Sequence, residues 1–237
     1  MIFQTNQKLL FIGDSITDCG RARSEDKGAA LGNGYVRDLA ALLGATYPHC
    51  MLEIVNKGIG GNTTRDLKNR WNEDVLELRP DWLSLMIGTN DVWRQFDSPD
   101  QVQVLPDEFE ANMRQLISEV QPQLSGGLVL MTPFFIEPSG VDAMRARMDE
   151  YSAMIKQIAH DSDAIFVDTQ AAFNRVLEVL PSSTLSDDRV HPNAVGHMVI
   201  ARAWLNAVGF RGCKFVGVNR TRQLTAENAE DAEKYSA

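Results

Sequence analysis

The sequence predicts a doubly wound α/β sandwich, three layers around a five-stranded parallel sheet, and three observations carry that reading. Five short, nearly all-apolar runs recur along the chain, helical spacing fills the intervals between them, and no internal repeat or Pro/Gly/Ser-rich linker divides the 237 residues. The runs are 9–13, 52–56, 82–87, 128–131 and 165–168. Strands covered on both faces lose the alternation of half-buried strands and read as continuous apolar stretches. Leu67, Trp71, Val75 and Leu78 recur at the intervals of one helical face, and Pro80 stops that helix. Met144, Met148, Ile155 and Ile158 mark a second helix, where the methionines, Met154 included, read as core. A last helix over 194–208 takes Val195, Met198, Val199 and Trp204 as its apolar positions, whereas 88–105 reads as a polar loop.

Composition bounds the function. The chain is 44% hydrophobic and 23% charged, an ordinary globular mixture. Against 23 Lys plus Arg stand 32 Asp plus Glu, a net charge of -9 that excludes a general nucleic-acid binder. Cys19, Cys50 and Cys213 are odd in number and widely spaced, which argues against a disulfide framework or a structural zinc site. The apolar run Leu9-Leu10-Phe11-Ile12 follows polar residues and falls short of a signal peptide or a membrane span. The expectation is one domain over 1–215, a polar tail over 216–237, a cytoplasmic location and no membrane partner.

Ligands of open α/β sheets bind beyond the carboxyl ends of the strands. There the chain places Gly13-Asp14-Ser15-Ile16, then Asn56-Lys57-Gly58-Ile59-Gly60-Gly61-Asn62, then Gly88-Thr89-Asn90-Asp91. Before the last helix stands Asp188-Arg189-Val190-His191-Pro192. Serine is a weak nucleophile without an adjacent base. His191 is the candidate base for Ser15, and a carboxylate must hold its tautomer; Asp188, three residues earlier, is favoured over Asp187. An ester hydrolase also needs donors for the developing oxyanion, and the Gly61 N–H, the Asn90 amide and the Ser15 N–H are the candidates. The second half of the α/β-hydrolase elbow is missing, since Ile16 and Thr17 follow Ser15.

Other readings are weaker. A G-x-G-x-x-G nucleotide loop starting at Gly58 would need its third glycine where Thr63 stands. Asn90-Asp91 suggests a metallophosphoesterase, but that chemistry calls for several further ligands. His49, His160 and His197 read as structural, and Asp14 and Asp91 as holding turns.

The four blocks resemble the SGNH (GDSL) hydrolase family, whose name-giving residues would be Ser15, Gly61, Asn90 and His191. The resemblance spans roughly 8–210 and implies a flavodoxin-like fold, a Ser15–Asp188–His191 triad, an acyl-enzyme and no cofactor. Met86-Ile87-Gly88-Thr89-Asn90-Asp91-Val92-Trp93-Arg94 and the block from Leu9 to Arg21 are similar to the intracellular acetylxylan esterases. That branch implies removal of acetyl groups from xylo-oligosaccharides and self-association; a lipase or thioesterase acting on short acyl esters is the alternative. Trp93 and Arg94 are candidate substrate contacts. Asp187 stands where relatives carry an aromatic or apolar residue; it would repel anionic substrates and favour an uncharged ester.

Overall fold

The computed structural model describes residues 2–23 and 29–211. The segment expected as a polar tail, and Cys213, lie outside them. Five parallel strands form one sheet: β1 (Lys8–Gly13), β2 (Glu53–Asn56), β3 (Trp82–Met86), β4 (Gly127–Met131) and β5 (Ile165–Val167), in the order β2-β1-β3-β4-β5. The strands lie within a residue or two of the predicted runs. Eight helices connect or flank them among the described residues: α1 (Ser15–Asp18), α2 (Tyr35–Thr46), α3 (Thr64–Trp71), α4 (Thr89–Asp97), α5 (Pro106–Val120), α6 (Ala143–Asp161), α7 (Thr169–Leu177) and α8 (Ala194–Ala207).

Alternate residues of each strand feed opposite cores. Leu9 and Phe11 join Tyr35, Leu39, Ile200 and Trp204 on the face covered by α2, α7 and α8. Leu10, Ile12, Leu83 and Leu85 join Leu67, Trp71, Phe109 and Met148 on the face covered by α3, α5 and α6. Burying this apolar area at about 25 cal/mol per Å² is what offsets the entropy of ordering the chain. The buried Trp204 indole donates to Ser84 Oγ at 3.0 Å, so the hydroxyl inside β3 is not stranded.

Three expectations change. The predicted loop 88–105 is helical over α4, because Val92 is fully buried and Trp93 packs on the core. The helix through Leu78 is α-helical only to Trp71 and continues as a wider turn over Asn72–Leu76. In α8 the buried face is Gly196, His197, Ile200, Ala201, Trp204 and Leu205, while Val195 and Met198 are exposed. Trp204 packs obliquely on Phe11 with ring centroids 5.6 Å apart and sets the helix phase. Counting back from it by helical turns lands on His197, a polar residue in a core position that an apolar pattern overlooks.

β1 and β3 are neighbours at the point where the chain reverses its direction of progress across the sheet. A crevice opens there, beyond the carboxyl ends of the strands.

Candidate active site

Asp14 leaves β1 and caps α1, its Oδ1 accepting the Ile16 N–H at 3.0 Å. This fixes Ser15 on the first turn, half-buried, with its hydroxyl facing the crevice. His191 arrives from the loop before α8, and its Nε2 lies 2.9 Å from Ser15 Oγ. The other ring nitrogen, Nδ1, lies 2.6 Å from Asp188 Oδ2. Because a carboxylate can only accept, Nδ1 carries the proton and Nε2 presents its lone pair to the serine hydroxyl.

The Asp188 loop is built locally. Asp188 Oδ1 accepts from Ser186 Oγ and from the backbone N–H groups of Val190 and His191, the last at 2.7 Å. Burial works against its charge, but these bonds and the one from the His191 ring outweigh it and hold the carboxyl well below the ordinary range. Arg189, in the left-handed region at φ 65°, makes the turn and pairs with Glu137 at 2.8 Å. Asp187 is exposed and, among the described residues, has no hydrogen-bond or ionic partner. Asp188 is the acid that the structure brings to His191.

Gly61 and Asn90 come from two further strand ends. Gly61 sits at φ +79°, a conformation that a side chain would strain. Its turn is pinned from below: a Cβ at Gly58 would lie 2.2 Å from the Asp18 backbone nitrogen. Arg70 bonds the carbonyls of Gly13 and Lys57, the Asn62 side chain and Asp74, tying the end of β1 to the glycine turn. Asn90, buried on the first turn of α4, donates from Nδ2 to the Asn62 carbonyl at 3.0 Å, which leaves its second amide hydrogen free.

Asp91 locks these pieces together. It accepts from Thr64 N at 3.0 Å and from Thr64 Oγ1 at 2.6 Å, so the start of α4 is fastened to the start of α3. Burial raises its carboxyl to about 6 despite the Thr64 bonds. Asp91 and Asp14 thus hold turns, as expected. The roles of Arg70 and Thr64 escape a reading of the sequence: their partners lie far along the chain, and no local pattern marks them.

Trp93 packs edge-on to the His191 ring, centroids 5.7 Å apart, and Arg94 pairs with Asp97 at 2.8 Å. His197 is buried: its Nδ1 accepts the Tyr35 N–H at 3.3 Å and its Nε2 lies 3.2 Å from Cys19 Sγ. Burial first, and the nearby His191 second, lower it to about 4, so it stays neutral. The described residues hold no group of three or more His, Cys, Asp and Glu side chains arranged for a metal ion, and no helix long and apolar enough to cross a membrane.

A hydroxyl, an imidazole and a carboxylate in line, facing a turn that presents backbone and amide N–H groups, define a serine hydrolase class of site. The chain belongs to the GDSL-like lipase/acylhydrolase family, whose profile matches residues 11–199. Among its relatives is the acetylxylan esterase of Geobacillus stearothermophilus, 55% identical over 210 residues, covering 87% of this chain and 95% of that protein. The crystal structure of a catalytic mutant of Axe2, an acetylxylan esterase from the same organism, superposes with a TM-score of 0.86 at 53% identity, covering 89% of this chain and 98% of the other. LAE5, an alpha/beta hydrolase from the metagenome of Lake Arreo, Spain, matches with a TM-score of 0.86 at 46% identity over the same shares.

Proposed function

We propose that this protein is a serine esterase that removes acetyl groups from acetylated xylo-oligosaccharides. The unbroken chain Ser15 Oγ, His191 Nε2, His191 Nδ1, Asp188 Oδ2 carries the reading, with contacts of 2.9 and 2.6 Å at its two ends. The acetylxylan esterase relatives supply the substrate class. His191 takes the Ser15 proton as Oγ attacks the acetyl carbonyl. The Ser15 and Gly61 N–H groups and the free amide hydrogen of Asn90 receive the oxyanion. His191 then protonates the departing sugar oxygen, leaving acetyl-Ser15. Water, deprotonated by His191, attacks that ester; acetate leaves and Ser15 regains its proton.

Trp93 and Arg94 are substrate contacts beside this centre. The exposed Asp187 carboxylate next to the triad favours an uncharged ester. The free thiols of Cys19 and Cys50 suit a reducing compartment such as the cytoplasm. In the test, Ser15→Ala folds normally and loses turnover of 4-nitrophenyl acetate and release of acetate from acetylated xylo-oligosaccharides followed by NMR. Retained turnover overturns the nucleophile assignment. Faster cleavage of octanoyl than acetyl esters overturns the acetyl preference.

A further inference from the structure

A groove of about 460 Å³ opens beside the catalytic centre, and Gly61 and Asn90 form its inner end. We propose that it is the subsite for the sugar ring next to the one that carries the acetyl group. The proposal rests on the esterase reading and names where the rest of the oligosaccharide lies. A larger hollow of about 660 Å³ lies between Asn72 and Gln123, at the amino ends of the strands and away from the triad.

Position is the first argument. The residues that would hold the ester carbonyl are the same ones that floor the groove, so a substrate anchored at Gly61 and Asn90 has its next group at the groove mouth. The volume falls in the range of about 300–1,000 Å³ typical of small-molecule sites.

Chemistry is the second. Arg94 stands at the inner end: a Cβ built on Gly61 would lie 3.8 Å from its Nη2. Its Nη1 is committed to Asp97, while Nη2 has no acceptor among the described residues. At the outer end Gln103 Nε2 donates to the carbonyls of Ser98 and Gln101, and Gln103 Oε1, buried, has no donor among the described residues. The unused Arg94 donor at the inner end matches a ligand that carries hydroxyl groups.

Charge and rigidity narrow the ligand further. Arg94 is offset by Asp97, and Arg65 by Glu108 at 2.6 Å, while Asp66 and Asp91 add negative charge to the lining. That balance rejects an anion. Among the described residues lining the groove, only Val102 and Val104 are large and apolar, so an acyl chain finds no apolar channel. The outer wall is preformed, because Arg65 also bonds the carbonyls of Val102 and Gln103. A neutral, hydroxyl-rich ring fits these conditions.

Val102 is largely exposed on the rim, so Val102→Trp narrows the groove without disturbing a buried contact. The experiment compares acetate release from acetylated xylotriose and from acetylated methyl xyloside, with 4-nitrophenyl acetate as a third substrate. The wild type favours the trisaccharide in kcat/KM, and that preference falls about tenfold in Val102→Trp and in Arg94→Met. An unchanged preference in both variants overturns the groove assignment. Wild-type turnover of 4-nitrophenyl acetate without a trisaccharide preference overturns the groove alone, whereas no turnover of any of the three overturns the esterase reading. Independently, unacetylated xylotriose added to Ser15→Ala shifts the Gln101 and Gln103 side-chain N–H resonances. Loss of those shifts when Val102→Trp is added supports the subsite, and identical shifts refute it.

Discussion

Replacing Asp14 by asparagine should change how stability depends on pH. Asp14 is only 1% exposed; Oδ1 takes the Ile16 N–H and Oδ2 has no partner among the described residues. Burial raises its carboxyl from 3.8 to about 7, opposed by the Ile16 bond and reinforced by the charge of Asp91. The folded state therefore binds this proton more tightly than the unfolded chain does. The stabilisation is complete below the unfolded value near 3.8 and is lost as pH rises through about 7. Across that window it amounts to about 4 kcal/mol. The substituted side chain would keep the capping acceptor and could not titrate, and its unpartnered NH₂ would replace a protonated carboxyl whose own O–H is equally unpartnered. Asp14→Asn is thus close to the wild type in stability at pH 4.5 and more stable than it at pH 8. Asp91, raised to about 6, titrates in both proteins and largely cancels in the comparison. Urea melts followed by tryptophan fluorescence at pH 4.5, 6 and 8 measure the difference. Parallel stability–pH curves would refute the claim that Asp14 is a buried, protonated acid.

Two further substitutions probe the site itself. Asp188→Asn removes the acceptor that fixes the His191 tautomer and lowers kcat for 4-nitrophenyl acetate by about 10⁴-fold with little change in KM; a loss below tenfold contradicts the triad assignment. In the wild type the charge of Asp188 stabilises the fold above its unfolded value, and that stabilisation is lost as pH falls through its depressed folded one. Asp91→Ala strands the buried Thr64 N–H and loosens the seat of Asn90, so kcat falls about 10–100-fold, part of the ~2.7–4 kcal/mol one oxyanion donor contributes. Steady-state kinetics beside a urea melt check it, and kcat within twofold of wild type rules the positioning role out.

Residues whose partners are close in sequence or whose burial is uniform are legible from the sequence. The strands show as apolar runs because both faces are covered, and Asp188 lies one turn from His191 with its loop bonds spanning two or three residues. Spacing favours Asp188 over Asp187, and the hydrogen bonds of the folded loop separate the two. What is not legible depends on distant contacts. Arg70 reaches Gly13 across 57 residues, and Asp91 reaches Thr64 across 27, so neither bears a local mark. The apolar pattern misplaces the phase of α8 because His197, sealed by Tyr35 and Cys19, takes a place that hydropathy reserves for an apolar side chain. The polar stretch after Asn90 hides a helix because Val92 is its one fully buried apolar residue on the core side.

The nucleophile and its base stand 176 residues apart in the chain. A ribosome delivers Ser15 long before His191, with Asn90 between them. A nascent or prematurely terminated chain ending before His191 therefore carries the serine with no base to activate it. Ester cleavage begins only when all five strands have been made and the loop before α8 has folded to bring His191 to Ser15. Activity thus reports on a finished sheet.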